Sequence, residues 1–219
     1  MSKPLSLGVL ISGGGTNLQA IIDAIERQEL PAQIRVVISN RSDAYGLVRA
    51  QRHNLPTETI SHTDFASREE FDQHMVTLLK ERRVELVTLA GFMRLLSPEF
   101  IQAFPHRILN IHPALLPAFP GLHAQRQAIE RGVRVAGATV HLVDDEMDHG
   151  PIIMQAAVPV YPDDTEESLS ARILTQEHRI YPASIKLFAE HRVAVQENRV
   201  IIRDEHRLPA TAFQSPDAT

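Results

Sequence analysis

The 219-residue chain contains no cysteine and no tryptophan. Without thiols it forms neither disulfides nor zinc–thiolate sites, and catalysis by a thiolate is excluded. No apolar run approaches the length of a membrane span, and the start at Met1-Ser2-Lys3-Pro4 lacks the apolar region of a signal peptide. We therefore expect a soluble cytoplasmic protein that contacts no membrane.

An excess of positive charge is also missing, since the formal net charge is -5. This balance argues against a general surface for nucleic acid, although a local basic pocket for an anionic metabolite remains open. An apolar content of 43% with 22% charged residues is typical of globular proteins. We expect one domain over residues 1–219, with a Pro- and Ala-rich, loose tail at 206–219.

Strand-like and helix-like patterns alternate along the chain. This order predicts an α/β fold with a mostly parallel, doubly wound sheet and helices on both faces. Expected strands cover Leu5–Ser12, Ile34–Ser39, Thr57–Ile60, Leu86–Ala90, Ile108–Ile111, Ala136–Val143 and Ile152–Val160. A helix is expected from Glu166 to about Ile180, where Pro182 ends or kinks it, and a C-terminal hairpin pairs Val193–Gln196 with Arg199–Ile202.

A glycine loop, Gly13-Gly14-Gly15-Thr16-Asn17, lies between the first strand and an amphipathic helix. Backbone N–H groups and a helix N-terminus at such a place collect an anion. Leu18 stands where a dinucleotide fingerprint needs glycine, and no Gly-Lys-Ser/Thr follows, so the loop suits a single phosphate. A tight turn without a ligand is the alternative, and Asn40-Arg41 after the second strand keeps an NADP-dependent oxidoreductase open.

Asn110 and His112 alternate with a strand period of two, so both side chains can face the same way. An amide and a charged imidazole are suitable donors for the oxygen of a tetrahedral intermediate. We expect Asp148, in the acidic loop 144–148, to raise the pKa of His112 and keep it charged. No nucleophilic side chain lies nearby, which indicates acid/base work on an attack made by a substrate's own nucleophile. The alternative is that Asn110 and His112 are structural.

Two further patterns, a set of potential metal ligands and an apolar segment, also have purely structural explanations. Potential metal ligands occur at His112, His123, His141, His149 and Asp148, but their spacings fit no compact metal motif, so we expect no metal. His141 is expected to be a sheet histidine, and His149 a turn residue. The segment Leu89–Leu96 can wall an apolar slot for a flat ring, with the backbone of Met93 to Leu96 meeting its polar edge, or it can be ordinary core.

Five stretches, taken together, resemble the phosphoribosylglycinamide formyltransferase family of folate-dependent enzymes: Ile11–Ile21, Leu89–Pro98, Leu109–His123, Asp145–Gln155 and Thr175–Pro182. The resemblance covers nearly the whole chain in order. It implies a Rossmann-like domain that transfers the formyl group of 10-formyltetrahydrofolate to glycinamide ribonucleotide in de novo purine biosynthesis, without metal or covalent enzyme intermediate. Residues 1–110 would form the phosphate- and nucleotide-binding half, and residues 111–205 the folate-binding and catalytic half.

The resemblance also implies individual roles. Asn110 and His112 would stabilise the oxyanion, while Asp148 would hold His112 and relay the proton of the attacking amine. The nucleotide would be bound by Gly15, Thr16, Asn17 and Glu177. The folate would be bound by Arg68, Met93, Arg94, Leu95, Leu96, Asn110, Val143, Asp144, Asp145, Glu146 and Met147. The chain departs from the family pattern at Gly14, at His149, where glycine is frequent, and at Leu174, where a basic residue sometimes occurs.

Several functions compete with this one. A 10-formyltetrahydrofolate hydrolase would be expected to carry an extra N-terminal domain, and a methionyl-tRNA formyltransferase an extra C-terminal barrel. A catalytically silent nucleotide- or folate-binding module and an oxidoreductase are alternatives of other classes. The expected partners are small molecules, with no nucleic acid, and both a monomer and a homodimer remain open.

Overall fold

The computed structural model describes residues 3–205, so the tail expected at 206–219 lies outside the described residues. The strands are β1 (Leu5–Ile11), β2 (Ala32–Ser39), β3 (Thr57–Thr59), β4 (Leu86–Leu89), β5 (Ile108–His112), β6 (Val135–Leu142), β7 (Ile152–Pro159), β8 (Val193–Gln196) and β9 (Arg199–Ile202). The helices are α1 (Thr16–Glu26), α2 (Tyr45–Arg52), α3 (Arg68–Glu81), α4 (Pro98–Ala103), α5 (Ala124–Glu130) and α6 (Glu166–Ala189), with a 3-10 turn at His62–Asp64. Within residues 3–205, no helix has the length and apolarity that crossing a membrane requires.

Seven strands form one sheet in the order β3-β2-β1-β4-β5-β6-β7, and β8 and β9 form a separate hairpin. The first five strands of the chain pair in parallel, whereas β6 is antiparallel to both β5 and β7. The predicted mostly parallel α/β fold with a C-terminal hairpin is confirmed. Crossover helices between parallel strands account for this topology, because parallel neighbours need a long connection.

Strand β1 shows how the sheet separates two cores. Leu7 and Val9 belong to the core beneath α1 and α6, whereas Leu10 belongs to the core beneath α3 and α4. Successive side chains of a strand point to opposite faces, so a continuous apolar run is the pattern of a strand covered on both sides. Helices therefore lie on both faces, as the alternation of patterns predicted.

Helix α6 is longer than the sequence indicated. The expected end near Ile180 is wrong, because the helix continues through Pro182 to Ala189. Proline removes one helical hydrogen bond, but the residues around it are deeply buried, and Tyr181, Ile185 and Phe188 pack in the core. Their burial offsets the lost bond. The Tyr181 hydroxyl also contacts the carbonyl oxygens of Leu89 at 2.9 Å and Leu109 at 3.1 Å, which ties α6 to β4 and β5.

Candidate active site

Strand β5 delivers the amide and the imidazole, and the loop between β6 and β7 returns the carboxylate. Asp148 Oδ2 lies 3.3 Å from His112 Nδ1, and Asp148 Oδ1 lies 3.4 Å from Asn110 Nδ2. His112 is buried, with 4% of its surface exposed, and the Asp148 side chain is 12% exposed. The three side chains that the sequence singled out therefore form one cluster, and Asn110 and His112 face the same side of the sheet.

His141 is a fourth member of this cluster. It lies in β6 directly opposite Asn110, and its Nε2 is 3.1 Å from Asn110 Nδ2 and 3.6 Å from Asp148 Oδ1. Its Nδ1 lies 2.9 Å from the carbonyl oxygen of Leu142. A proton on Nδ1 satisfies that carbonyl, and Nε2 faces both the Asn110 amide and the Asp148 carboxylate. His141 is a sheet histidine, as predicted, and it also orients the amide.

Asp148 raises the pKa of His112, as expected, but the net pKa lies below its ordinary value, so the expectation that Asp148 keeps the ring charged is wrong. Burial lowers the pKa of His112 and outweighs the carbonyl of Phe119 and the Asp148 carboxylate, which both raise it. The Nε2 atom lies 2.8 Å from the Phe119 carbonyl oxygen. Both ring nitrogens thus face acceptors, an arrangement that a doubly protonated ring satisfies in full. Burial thus disfavours the charged form of the ring, whereas the Phe119 carbonyl and the Asp148 carboxylate favour it.

Asp148 itself has a pKa below its ordinary value. Burial raises this pKa, but three other contacts together outweigh burial: a hydrogen bond with His141, the backbone N–H of Gly121 and the nearby imidazole of His112. Gly121 donates to Asp148 Oδ2 at 2.8 Å. Asp148 also has a left-handed backbone, with φ 54°, a conformation that aspartate tolerates better than most residues. The loop therefore presents an ionised carboxylate to two histidines.

The segment after β5 is held rigidly in place by Thr139 of β6. Its hydroxyl donates to the Ala114 carbonyl at 2.7 Å and accepts the Leu116 N–H at 3.0 Å. Gln155 of β7 donates to both Thr139 Oγ1 and the Leu116 carbonyl, each at 2.9 Å. This network fixes the proline-rich loop that supplies the Phe119 carbonyl and the Gly121 N–H to the cluster of Asn110, His112 and Asp148.

The glycine loop leads into the N-terminus of α1. Gly15 caps the helix with a left-handed φ of 69°, and no side chain caps it. A Cβ on Gly15 would lie 2.6 Å from the Cα of Gly46 in α2, so the close approach of two backbones requires glycine there. A Cβ on Gly14 would meet nothing within 4 Å. The tight-turn explanation thus accounts for Gly15, and the uncapped end with the open space beside it suits an anion.

Asn17 and Glu177 meet beside this loop, although 160 positions separate them. Asn17 Nδ2 donates to Glu177 Oε2 at 2.7 Å, and both side chains are buried. Burial raises the pKa of Glu177, and the Asn17 hydrogen bond opposes it only in part. Asn17 Oδ1 is buried and finds no partner among the described residues. The pair therefore offers acceptor oxygens to a ligand with N–H or O–H groups.

A groove of about 340 Å³ opens next to Thr16. Arg49 of α2 and His178 of α6 line it. Arg49 donates through Nε to the Gly14 carbonyl at 2.8 Å, which places a cation against the glycine loop. The pKa of His178 is lowered by burial, and within residues 3–205 its buried Nε2 has no hydrogen-bond partner.

The segment after β4 divides into core and surface. Phe92 and Leu96 are buried, which agrees with the alternative that this segment belongs to the core. Met93 and Leu95, in contrast, are 66% and 58% exposed. The N–H of Met93 donates to Ser12 Oγ at 2.8 Å, so the expectation that this N–H meets a heterocycle is wrong. Arg94 lies with its guanidinium 5.4 Å from the centre of the Phe71 ring. The segment thus presents exposed apolar side chains and an anchored arginine.

The acidic loop has its own internal contacts. Asp144 accepts from the Glu146 N–H at 3.1 Å and lies 2.9 Å from His149 Nδ1, a contact that raises the pKa of His149. His149 lies in a turn, as predicted. Val143 packs against the core, whereas Asp145 and Glu146 are exposed and Met147 is 55% exposed. Met147 reaches toward Gly121, where an added Cβ would lie 3.4 Å from its Cε.

Known proteins resemble the chain in sequence and in structure. The family described as Formyl transferase matches residues 6–185. The phosphoribosylglycinamide formyltransferase of Escherichia coli K12 is 45% identical over 213 residues, which cover 97% of this chain and 100% of that protein. The chain belongs to the formyl transferase family. This formyltransferase is also similar to the solved glycinamide ribonucleotide transformylase 1 of Symbiobacterium toebii, with 53% identity, a TM-score of 0.92, and coverage of 93% of this chain and 96% of that one.

Another solved relative bears on the hydrolase alternative. The formyltetrahydrofolate deformylase of Pseudomonas syringae is 27% identical with a TM-score of 0.86, covering 93% of this formyltransferase and 67% of that chain. The resemblance that the five sequence stretches indicated is confirmed at the level of the family, and the phosphoribosylglycinamide formyltransferases are the more similar relatives.

Arg68 begins α3, is exposed, and lies 3.5 Å from Glu69. Among the described histidine, aspartate and glutamate side chains, no group of three has the arrangement that would hold a metal ion.

Sequence reasoning missed the roles of Thr139, Gly121 and Arg49. Only Gly121 carried a signal, since a glycine two residues after Phe119 in a proline-rich loop indicates a special backbone conformation.

Proposed function

We propose that this formyltransferase moves the formyl group of 10-formyltetrahydrofolate to the amine of glycinamide ribonucleotide, a step of de novo purine biosynthesis. The observation that carries the proposal is the convergence of Asn110, His112 and Asp148 within hydrogen-bond or ion-pair distance. The E. coli and Symbiobacterium relatives, whose names give this activity, support the choice of acceptor.

The reaction proceeds by direct attack. The amine nitrogen of the nucleotide adds to the formyl carbon, which becomes tetrahedral as its oxygen gains negative charge. The bond to N10 of the folate then breaks, and the formyl group remains on the nucleotide nitrogen. The proton lost by the amine passes to Asp148 and on to N10, so charge and atoms balance without a nucleophile from the protein.

Asn110 and His112 stabilise the oxyanion. Asn110 Nδ2 keeps its contact with His141 and exchanges the longer one, with Asp148 at 3.4 Å, for the oxyanion. His112 likewise exchanges one of its two present contacts. The contact exchanged is the one with the Phe119 carbonyl, because a neutral carbonyl is a weaker acceptor than the Asp148 carboxylate. The negative charge of the intermediate also favours the charged imidazole, so His112 becomes a stronger donor as the transition state forms.

The nucleotide lies along the glycine loop. Its phosphate accepts from the N–H groups of Gly15 and Thr16 at the uncapped start of α1, with Arg49 as the nearby cation. Asn17 and Glu177 bind its glycinamide or ribose end, where Asn17 Oδ1 lacks a partner among residues 3–205. Because position 174 of α6 is leucine, no cation stands at that place, and Arg49 supplies the charge from α2 instead.

The reduced folate lies between the segment after β4 and the acidic loop. Exposed apolar side chains on both sides, Met93, Leu95 and Met147, provide surface for a flat ring. The remaining proposed contacts come from Arg68, Arg94, Leu96, Asn110, Val143, Asp144, Asp145 and Glu146. Arg68 and Arg94 are placed toward the anionic benzoyl-glutamate end.

An absorbance assay tests the function. Purified protein is mixed with 10-formyltetrahydrofolate and either glycinamide ribonucleotide or water alone as the acceptor, and the loss of the formyl group is followed. Fast transfer that depends on the nucleotide supports the proposal. Equal rates with and without the nucleotide would identify a deformylase, and no loss of formyl under either condition would contradict both functions.

A further inference from the structure

Arg49, the cation proposed to meet the nucleotide's phosphate, is itself held by its neighbours. Its Nε donates to the Gly14 carbonyl at 2.8 Å, and the centre of its guanidinium lies 5.2 Å from the centre of the Tyr45 ring. A third neighbour is Gln19, whose Oε1 accepts from Arg49 Nη1 at 3.4 Å. Arginine has many rotamers, and confining it to one of them costs conformational entropy. A guanidinium that is already confined binds a phosphate without this cost.

Gln19 of α1 lies between Arg49 and two other polar groups. Its Nε2 donates to Asp23 Oδ1 at 2.8 Å, one turn further along the same helix, and lies 3.1 Å from His53 Nε2. Arginine can only donate hydrogen bonds, and a carboxylate can only accept them. The amide of Gln19 therefore satisfies both charged neighbours in one orientation only, with its oxygen toward Arg49 and its NH₂ group toward Asp23.

His53, which follows α2, favours the same orientation of the amide. With its NH₂ group on this side, Gln19 donates to His53 Nε2, so the ring carries its proton on Nδ1. That nitrogen lies 2.6 Å from Glu26 Oε1, which accepts the hydrogen bond. Each donor in the row from Arg49 through Gln19 and His53 to Glu26 thus faces an acceptor. Reversal of the Gln19 amide would place donor against donor at Arg49.

This row of polar side chains contributes little to the core. Gln19, Arg49 and His53 are only partly buried, and the side chain of Glu26 is 56% exposed. Polar contacts at such a surface add little to stability. Gln19 and Arg49 both line the groove that opens next to Thr16, where α1 begins without a side-chain cap. The position of the row therefore points to the groove rather than to the stability of the fold.

We propose that Gln19 is a positioning residue, which holds the Arg49 guanidinium beside the glycine loop so that it binds the phosphate of the nucleotide. His53 supports Gln19 from the side opposite Arg49. The inference rests on the proposed function, because that function places the phosphate beside Arg49. Since the phosphate takes no part in bond making, Gln19 acts on the binding of the nucleotide and not on the transfer of the formyl group.

A double-mutant cycle on the full chain tests whether Gln19 acts through Arg49. The variants are Gln19→Met, Arg49→Gln and the two together, since methionine is unbranched and adaptable but lacks the amide. Gln51→Met, at an exposed position of α2, is the matched control. Steady-state assays give kcat and the KM for glycinamide ribonucleotide. Isothermal titration calorimetry gives the Kd of ribose 5-phosphate, a probe that carries the phosphate but no amine to be formylated.

We expect Gln19→Met to raise both the KM and the Kd about fivefold, as the loss of one hydrogen bond would, with kcat unchanged. When Arg49→Gln is already present, the same change should raise them by less than about twofold, because the side chain that Gln19 positions is gone. His53→Leu should raise both constants about twofold, since Asp23 still holds the Gln19 amide. Gln51→Met should match the wild type.

The inference is overturned if Gln19→Met leaves both constants unchanged, or if it raises them by the same factor with and without Arg49. Should Gln19→Met not fold, His53→Leu with and without Arg49→Gln decides by the same criterion. Coupling seen with ribose 5-phosphate in a protein that transfers no formyl group would remove only the proposed function, whereas normal transfer with independent effects would remove only the inference. A wild type that binds neither ribose 5-phosphate nor the nucleotide would remove both.

Discussion

Replacing Asp148 by asparagine changes the charge of the site and almost nothing of its shape. The carboxylate now accepts the Gly121 N–H at 2.8 Å and lies 3.3 Å from His112 Nδ1 and 3.4 Å from Asn110 Nδ2. In Asp148→Asn the amide oxygen can keep the bond from Gly121. The NH₂ group, which is a donor, then faces other donors or a ring nitrogen that the carboxylate oxygen attracted. No group is left to accept the proton of the attacking amine.

The expected loss follows from these contacts. Removal of a positioned general base costs about 10²- to 10⁴-fold in rate, so kcat should fall by that factor. KM for the folate should change little, because Asp148 contacts protein groups rather than the apolar surface proposed for the ring. The altered hydrogen bonds should lower the free energy of unfolding by about 1–3 kcal/mol.

The sign of the pH dependence provides a second test. The folded-state pKa of Asp148 lies below its ordinary value, so its contacts stabilise the fold above the unfolded pKa of about 3.9, and this contribution is lost as the pH falls through the folded pKa. Asp148→Asn should therefore destabilise the protein at neutral pH and much less in acid. Denaturant unfolding at pH 7 and pH 3 measures this difference.

Single-turnover and steady-state absorbance assays separate chemistry from binding in this variant. Asp163→Asn, an exposed carboxylate outside the cluster, is the matched control and should behave like the wild type. A kcat for Asp148→Asn within a few-fold of wild type, in protein shown to be folded, would refute the role of Asp148 in proton transfer.

Three other changes test the remaining parts of the site. Asn110→Ala removes an oxyanion donor and should cost on the order of 3 kcal/mol of transition-state stabilisation in kcat/KM; unchanged kinetics would count against that role. Glu177→Gln removes a buried carboxyl group whose pKa is raised by burial. The Tm of this variant should exceed that of the wild type near neutral pH, where burying the charged carboxylate is costly. The two Tm values should be equal below about pH 4, where both side chains are neutral. Arg49→Gln should raise KM for glycinamide ribonucleotide about tenfold with little change in kcat, whereas Arg52→Gln on the same helix should not; equal KM values in the two variants would contradict the phosphate role of Arg49.

Much of the fold was predictable because it depends on local periodicity. Apolar runs gave the strands, and the 3.6-residue spacing after Asn17 gave α1. Asn110 and His112 were predictable as a pair for the same reason, since alternate residues of a strand share a face. The start of α4 is also encoded locally, because serine before proline is a typical capping pattern, and Ser97 Oγ accepts the Phe100 N–H at 3.3 Å.

Features that depend on long-range packing were not accessible in this way. Nothing local indicates that Thr139 anchors the loop after β5 or that Arg49 reaches Gly14, because these contacts join segments far apart in the chain. The passage of α6 through Pro182 was missed for the same reason, since local preference ends a helix there and only burial against the sheet offsets the lost bond.

The pKa of His112 shows most clearly why a sequence motif does not determine its own chemistry. A carboxylate beside an imidazole raises the pKa of the ring, but the strength of burial depends on every neighbour that excludes water, and here burial prevails. The low dielectric that disfavours a resting charge also strengthens the attraction between an imidazolium and an oxyanion once both exist. In the proposed reaction, the same burial that disfavours a charge on His112 alone therefore reserves its strongest interaction for the transition state, which is the difference in binding that catalysis requires.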